Sequence, residues 1–326
     1  MQTDHNARGI SVVIPNYNGA ELLAKNLPFV YAALKASHRP YEVVIPDDAS
    51  TDDSIAFLKQ HFPDVIIISS EKNGGFSVNI NKGITAATQP LVLLLNSDIK
   101  LSEDYILDQL RYFELPDTFG VMGRIRDEAT GQIAEACKYP KPSVFKINNI
   151  KNVAIPGNDI YTFYLSGANM LVDREKLIWL GGFNELFAPF YHEDLDLSLR
   201  AWESGWKCYY NNSSVCWHAV SATIKSHSSK NHIKTISTRN RLLLHAFHLQ
   251  GIHLYLWHTL TFLELLVKWI TGRLYYYKAY ALFIKKLPMM RAYKAQFLGK
   301  ALPGRQFIPY ITVKANIKTA LDKYIK

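Results

Sequence analysis

The sequence predicts an α/β fold with a mostly parallel central sheet, and two observations lead to that prediction. Apolar runs rich in β-branched residues alternate with longer segments that have helical spacing. The runs are apolar throughout rather than at every second residue, which indicates strands covered on both faces by crossover helices. The chain has 326 residues, of which 48% are hydrophobic, so it is long and apolar enough to bury the core of such a fold.

Strands and helices alternate through the first hundred residues. The predicted strands are residues 10–15, 42–46, 65–69 and 91–95, and the predicted helices are residues 20–36, 50–61 and 77–87. In parallel sheets, ligands bind at the carboxyl ends of the strands. Those ends carry the polar clusters PNYNG, PDDASTDDS, SSEKNGGFS and NSD, so this edge of the sheet is the predicted binding edge.

The pattern weakens after the fourth strand. Residues 120–160 are predicted to be irregular loops with one strand at residues 120–125. Further on, the segment HEDLDLSLRAWESGW predicts a helix that ends at Gly205. From about Arg239 the chain is predicted to be helical and basic. Residues 268–326 contain 13 Lys and Arg against one acid, Asp322, which favours an anionic partner, either phospholipid or nucleic acid.

The C-terminal region is predicted to lie on a membrane surface rather than to cross it. Residues 254–270 are apolar, but His258, Glu264 and Lys268 interrupt them, so a spanning helix is not expected. The following aromatic residues are interleaved with Lys and Arg, as in interfacial elements. Three alternatives remain: a helical subdomain with a solvated basic face, nucleic-acid binding, and self-association. One helix face is formed by Leu256, Leu260, Leu263, Val267 and Ile270.

Cysteine usage and the N-terminus both favour a cytoplasmic protein. The three cysteines have no CxxC spacing, so neither a disulfide framework nor a zinc site is predicted. The first 15 residues lack a basic region followed by an apolar segment, so no secretory signal is predicted.

The first two strand ends carry candidate ligand-binding residues. Pro15 ends the first strand, Asn18 begins a turn, and the helix start that follows attracts anions. Tyr17, between them, is placed to cover a base. After the second strand, Asp47 and Asp48 are adjacent. One of these carboxylates is expected to accept a hydrogen bond from a pyrimidine imide or a ribose hydroxyl, and the alternative is that both bind loop amides.

Three later residues suggest metal binding and proton transfer. Asp98 follows a buried strand, and Mg²⁺ or Mn²⁺ takes oxygen ligands from carboxylates and substrate phosphates. The alternative for the sequence Asn-Ser-Asp is a simple turn. Asp194, at a predicted helix start, either removes a proton from an acceptor hydroxyl or caps the helix. His218 follows another short apolar run, where a histidine is commonly structural.

In their order along the chain, these clusters resemble family 2 inverting glycosyltransferases with a GT-A fold, close to bacterial rhamnosyltransferase-like members. The resemblance rests on PNYNG, DDASTDDS, NGGFSVNINKGI, NSD, SGANMLV, GGFNELF, HEDLDLSLRAWESGW and WH, and it covers residues 10–223. By this resemblance Asn96 replaces the first Asp of the family's DxD motif, which leaves one charged ligand fewer. The nucleotide sugar would be held by Pro15, Tyr17, Asn18, Asp48, Asn73, Gly74, Gly75, Asn96 and Ser97.

The resemblance also implies the remaining roles. Asp98 and His218 would bind Mg²⁺ or Mn²⁺, Asp194 would be the general base, and Glu193 and His192 would contact the acceptor. The implied reaction moves a sugar from a UDP- or dTDP-linked donor to a hydroxyl of a glycan or lipid-linked acceptor, in cell-surface polysaccharide synthesis. The expected fold is then a GT-A fold, Rossmann-like with flanking helices, plus a C-terminal helical region.

These expectations place residues 1–240 in the GT-A domain and residues 241–326 in a basic, amphipathic, membrane-associating region. The protein would lie in the cytoplasm, peripherally on the inner face of the cell membrane, without a nucleic-acid partner; a homo-oligomer is also compatible. One rival is a sugar-phosphate nucleotidyltransferase, but PNYNGAELL lacks the basic glycine-rich loop that such enzymes normally need. The other is a non-catalytic glycan- or lipid-binding protein, against which Asp98, Asp194 and His218 count.

Overall fold

The computed structural model describes residues 8–141, 147, 150–218, 229–300 and 306–325. Its strands are β1 (Ile10–Val13), β2 (Tyr41–Asp47), β3 (Ile66–Ser69), β4 (Leu91–Leu95), β5 (Ile99–Leu101), β6 (Thr118–Asp127), β7 (Ile133–Glu135), β8 (Cys137–Pro140), β9 (Ile150–Val153), β10 (Ile160–Tyr161), β11 (Asn169–Asp173) and β12 (Lys207–His218). Its helices are α1 (Ala20–Ala36), α2 (Ser54–His61), α3 (Phe76–Ala86), α4 (Leu107–Leu110), α5 (Arg174–Leu180), α6 (Glu193–Glu203), α7 (Lys230–His248), α8 (Gly251–Lys268), α9 (Tyr275–Leu298) and α10 (Tyr310–Asp322). Short 3-10 turns cover Arg111–Glu114 and Glu185–Phe187.

Ten strands form one mixed central sheet in the order β10-β12-β6-β11-β4-β1-β2-β3, with β5 on β12 and β7 on β6. The pairs of β1 with β2 and β4, and of β2 with β3, are parallel, whereas β11 is antiparallel to both β4 and β6. A parallel half therefore carries the first four strands, as the apolar runs indicate. The predicted α/β fold with flanking helices and a helical C-terminal region is confirmed.

Apolar side chains fill both faces of this sheet. Val12 and Val13 are both fully buried, although successive residues of a strand point to opposite faces of the sheet. The two valines belong to two separate buried clusters, one on each face. The C-terminal helices extend one of these clusters through Leu243, Phe283 and Ile317. The predicted domain boundary at residue 240 falls inside α7, and the division at that point stays a prediction.

Two local expectations from the sequence are wrong. The apolar run at residues 65–69 predicts a strand covered on both faces, but β3 is an edge strand and Ile66 is 40% exposed. For residues 120–160 the sequence predicts irregular loops with one strand at residues 120–125. That strand lies within β6, but β6 extends to Asp127 and the strands β7 to β10 follow. The strands β7 to β10 have four residues or fewer, which is too short for a period to be recognised in the sequence.

The C-terminal helices form a separate layer on the cluster that they extend. Within the described ranges no helix is both long enough and apolar enough to cross a membrane. The helix face predicted from the spacing in residues 254–270 is largely exposed, because Leu263 is 50% and Val267 55% exposed. The buried residues of α8 are Trp257 and Thr261, which anchor the helix.

Candidate active site

A cleft of about 400 Å³ lies at the carboxyl ends of β1, β2 and β4. The three strand ends adjoin because β1 pairs in parallel with both of its neighbours. We call this space the strand-end cleft. Most of the residues predicted to hold a nucleotide sugar line it, together with the predicted metal ligand: Pro15, Tyr17, Asn18, Asp48, Asn73, Gly75, Asn96, Ser97 and Asp98.

Asn18 joins the first two loops of the strand-end cleft. Its backbone has φ of 50°, in the left-handed region that asparagine tolerates. The Asn18 side-chain oxygen accepts a hydrogen bond from the Thr51 N–H at 2.7 Å. The backbone N–H of Asn18 donates to Ser50 Oγ at 2.8 Å. Asp47 completes the junction by accepting from the Asn16 amide at 2.8 Å and from Ser50 Oγ at 2.6 Å. Asp47 therefore stabilises the loops.

Asp48 fixes the third loop while remaining in the cleft wall. Its two carboxylate oxygens accept the Gly74 and Gly75 N–H groups, each at 2.9 Å. Gly75 has φ of +85°, and a Cβ there would lie 2.8 Å from the Pro189 Cα, so this position requires glycine. Both adjacent carboxylates accept loop N–H groups, and the role of Asp48 in ligand binding stays a prediction. Gly74 itself does not line the cleft, because its Cβ position faces Val78.

Asp98 and His218 meet although 120 residues separate them. The antiparallel pairing of β5 with β12 sets His218 opposite Ile99, next to Asp98. The His218 Nε2 lies 2.9 Å from Asp98 Oδ2, and this hydrogen bond is the largest contribution to the raised pKa of His218. Asn96 reaches the same cleft because the chain leaves β4 at Leu95 and turns before β5.

The Asp98 and His218 side chains fit a divalent cation that shares its ligands with a substrate. Asp98 Oδ1 is buried and has no hydrogen-bond partner in the described part of the chain, although a carboxylate oxygen is a strong acceptor. In that same part, no group of three His, Cys, Asp or Glu side chains is placed to hold a metal. A cation here would therefore need oxygen ligands from phosphate and water as well.

Two asparagines that the sequence interpretation did not select, Asn16 and Asn79, also line the strand-end cleft. Asn16 Oδ1 and Asn79 Oδ1 are buried without hydrogen-bond partners among the described residues. Asn79 is held by its amide nitrogen, which donates to the Pro46 carbonyl at 2.8 Å. Buried acceptors at a cleft wall suit ligand donors such as hydroxyl or imide N–H groups. The sequence signal that could have identified Asn79 is a polar residue on the buried face of α3.

Asp194 lies in a second cleft of about 380 Å³, which we call the Asp194 cleft. His192, Tyr191, Tyr164 and Ser237 also line it. Asp194 does not act as the N-cap of α6, since that position is His192. Its carboxylate accepts the Leu195 N–H at 2.7 Å and the Gly167 N–H at 3.4 Å. Burial is the main cause of the raised pKa of Asp194, which makes the carboxylate a stronger base than an exposed one.

Of the two predicted acceptor contacts, His192 lines the Asp194 cleft and Glu193 does not. Glu193 is 9% exposed and does not line either cleft. Its Oε2 has no hydrogen-bond partner in the described part of the chain, and burial, with the neighbouring charge of Asp194, raises its pKa to about 8. His192 does line the Asp194 cleft, and burial lowers its pKa to about 4. Burial thus favours the uncharged form of both side chains.

The two clefts adjoin at the turn that precedes β11. In this turn Gly167 donates to Asp194, and the carbonyl of Ala168 accepts the Asn96 N–H at 3.1 Å. A Cβ at Gly167 would lie 3.5 Å from Asp194 Cβ and 3.8 Å from Phe76, which lines the strand-end cleft. Asp194 and Asn96, which lies two residues before Asp98, therefore flank one short turn.

Helix α7 holds the loop between the two clefts, a contribution that the sequence did not predict. Asn240 donates to the carbonyls of Phe190 and Tyr191 at 2.8 and 2.9 Å. The same loop contacts α3 where the Phe76 N–H donates to the Pro189 carbonyl at 3.1 Å. Nothing in the sequence pattern links residue 240 to residues 189–192, so these contacts depend on tertiary structure alone.

Comparisons with known proteins agree with this architecture. The family model described as "Glycosyl transferase family 2" matches residues 11–161, and that described as "Glycosyl transferase family group 2" matches residues 91–295. An uncharacterized glycosyltransferase of Nostoc sp. is 35% identical over 116 residues, which is 35% of each chain. The N-acetylglucosaminyl-diphospho-decaprenol L-rhamnosyltransferase of Mycobacterium tuberculosis is 26% identical over 64% of this chain and 77% of its own length. The resemblance read from the motifs is thereby confirmed.

Among solved structures, GalNAc-T7 with UDP, GalNAc and Mn²⁺ superimposes with a TM-score of 0.60 and 14% identity. The match covers 99% of this chain and 55% of the GalNAc-T7 chain. This chain thus spans about a third of the Nostoc protein and about half of GalNAc-T7 in these matches. At this identity the structural likeness shows the GT-A fold and nothing about the substrate.

Proposed function

The chain belongs to glycosyltransferase family 2, and on this basis we propose that it transfers a sugar from a UDP- or dTDP-linked donor to a hydroxyl group, with inversion. The acceptor is a glycan or a lipid-linked sugar in cell-surface polysaccharide synthesis. The observation that supports this proposal most is the meeting of Asp98 and His218 at the strand-end cleft. The turn before β11 lies between Asn96 of this cleft and Asp194.

The strand-end cleft provides the donor site. Tyr17 lies at its wall, 39% exposed, where an aromatic ring can cover a base. Asp48 and the unused acceptors of Asn16 and Asn79 suit the imide and hydroxyl donors of a nucleoside. These groups bind and orient the nucleotide without taking part in bond making.

Asp98 and His218 would hold Mg²⁺ or Mn²⁺ against the donor diphosphate. When bound, the cation supplies electrostatic stabilisation to the negative charge that develops on the leaving nucleoside diphosphate. Asp98 Oδ1 is available for this role because nothing in the described part of the chain bonds to it.

Asp194 acts as the general base in the proposed reaction. The acceptor oxygen forms a bond to the anomeric carbon while the bond from that carbon to the β-phosphate oxygen breaks. The hydroxyl proton passes to the Asp194 carboxylate. Burial raises the pKa of Asp194, which makes the carboxylate a better proton acceptor. The Leu195 and Gly167 N–H groups orient the carboxylate.

Asp98→Asn is expected to remove the Mn²⁺-dependent part of nucleotide binding. With Mn²⁺ and UDP or dTDP at about 100 times the dissociation constant, binding adds about 2.7 kcal/mol to wild-type stability. A thermal-shift assay should show this stabilisation in wild type and lose it with EDTA or in Asp98→Asn. Asp104→Asn, at an exposed position, should behave as wild type. An unchanged Mn²⁺ effect in Asp98→Asn would remove Asp98 from the cation site, and no stabilisation by either nucleotide would contradict the donor proposal.

We also propose that α8 and the turn after it contact the surface of an anionic membrane. Tyr255, Leu266, Trp269 and Ile270 are between 59% and 77% exposed, although they are large and apolar. The basic residues of the 268–326 stretch provide charge complementarity to anionic headgroups. This association places the enzyme beside lipid-linked acceptors.

Trp269→Glu combined with Ile270→Glu is expected to weaken vesicle binding at least about tenfold, because each apolar side chain contributes roughly 1.5–3 kcal/mol when buried. Sedimentation with phosphatidylglycerol vesicles at low salt measures the bound fraction. Leu115→Glu, at a site 47% exposed and far from α8 in sequence, is the matched control. Equal sedimentation of the double variant and wild type would exclude this surface as the contact.

A further inference from the structure

A third cavity, of about 440 Å³, lies between α7, α8 and α9, and the proposed chemistry does not use it. We call it the helical pocket. Its wall is mainly apolar, with Leu242, Trp257, Leu260 and Val267 among the lining residues. Trp257 is 5% exposed and Thr261, also in the wall, is 5% exposed, so the pocket reaches into the layer of helices. A pocket of this character suits a hydrocarbon ligand.

The helical pocket and the Asp194 cleft lie along the same side of α7. Ser237 lines the Asp194 cleft, while Arg241 and His245 line the helical pocket. These three residues are spaced four apart, so they follow one another on the same side of the helix. The charge of Arg241 also lowers the pKa of His192, which lines the Asp194 cleft. Arg241 therefore lies where the two spaces meet.

Arg241 has an unused guanidinium group at this junction. It is partly buried, and in the described part of the chain its side chain forms no ion pair or hydrogen bond. Glu264, the acid in the pocket wall, instead accepts the Tyr276 hydroxyl at 2.9 Å. Lys268 lines the pocket too, so its wall carries two cations and one acid. A planar guanidinium without a carboxylate partner suits a phosphate group.

We propose that the helical pocket binds the lipid end of a phosphate-linked acceptor, with Arg241 on the phosphate and the hydrocarbon chain between α7, α8 and α9. This assignment rests on the proposed sugar transfer and specifies its acceptor as a lipid-linked sugar. The order along α7 then places hydrocarbon, phosphate and sugar in sequence toward Asp194. The exposed apolar surface of α8 gives the chain a route from the bilayer into the pocket.

Farnesyl diphosphate tests this site because it combines a diphosphate with a soluble isoprenoid chain. Titration calorimetry in EDTA should give binding at least tenfold tighter than that of farnesol or inorganic pyrophosphate. Arg241→Gln should weaken farnesyl diphosphate binding at least tenfold, whereas Arg291→Gln, on an exposed part of α9, should not. Leu263→Glu, in the pocket wall, should also weaken binding, and Leu266→Glu, outside the wall and similarly exposed, should not.

Asp98→Asn separates this inference from the proposed function. That variant should keep farnesyl diphosphate binding while it loses Mn²⁺-dependent nucleotide binding. Conversely, Arg241→Gln should keep the nucleotide thermal shift, which also shows that it is folded. Farnesyl diphosphate binding that is lost in Asp98→Asn, or that survives in both Arg241→Gln and Leu263→Glu, would overturn the lipid-phosphate site. Neither of these results would alter the donor-site experiment.

Discussion

Asp194→Asn is expected to lower kcat about 10²- to 10⁴-fold, the usual contribution of a general base, while nucleotide binding is retained. Asparagine keeps the size of the side chain and can still accept the Leu195 N–H, but it does not take up a proton. The strand-end cleft is lined by other residues, so its affinity for the nucleotide should not change. Release of UDP or dTDP in the presence of acceptor measures kcat, and the nucleotide thermal shift measures donor binding.

The pH dependence gives this prediction a second readout. The base must be deprotonated, so the rate should rise with pH as Asp194 loses its proton. Because burial raises the pKa of Asp194, this rise should lie above the pH range of an ordinary aspartate. Burial and the charge of Asp194 together raise the pKa of Glu193. The two carboxyl groups therefore titrate as a pair, and the apparent pKa values of the rate profile belong to both. Undiminished transfer by Asp194→Asn would contradict the assignment, and Asp104→Asn controls for the loss of one exposed carboxylate.

The strand ends were predictable from sequence because two local signals coincide there. Continuous apolar runs predict buried parallel strands, and parallel strands bring their carboxyl ends to one edge. Asp48 and Asp98 are therefore found at the same cleft, as the pattern indicates. The actual partners of Asp48 were not predictable, because the two glycine N–H groups reach it only after the loop at residues 73–75 has folded.

The second half of the site depends on pairings between residues distant in sequence. His218 reaches Asp98 through the register of β5 with β12, and β5 has only three residues, too few to give a period. Asn240 and Arg241 lie on α7, and the sequence pattern of this helix indicates only that it is amphipathic. The resemblance to known glycosyltransferases identified His218 as a candidate, whereas the residues alone favoured a structural histidine.

A buried network of four charged groups holds the helix that carries Asp194. Arg200 and Asp196 of α6 are both 0% exposed and form an ion pair at 2.8 Å. His248 of α7 lies 3.1 Å from Asp196 and 2.9 Å from Glu203, and the charges of these two acids raise its pKa against the effect of burial. Two basic side chains thus face two acidic ones, and burial raises the pKa of Glu203. Arg200 also donates to the carbonyls of Leu180 and Gly182, which ties α6 to the end of α5.

Arg200→Met should lower the free energy of unfolding by about 3–5 kcal/mol, because it leaves an uncompensated negative charge in the core. Chemical denaturation at neutral pH measures the loss. Lys25→Met breaks the exposed ion pair between Lys25 and Glu128 and should cost less than about 1 kcal/mol. Asp196→Asn together with Arg200→Met should cost less than the sum of the two single changes, because the remaining His248 and Glu203 still form a neutral pair. Additive losses, or an Arg200→Met effect no larger than that of Lys25→Met, would show that the four groups do not act as a network.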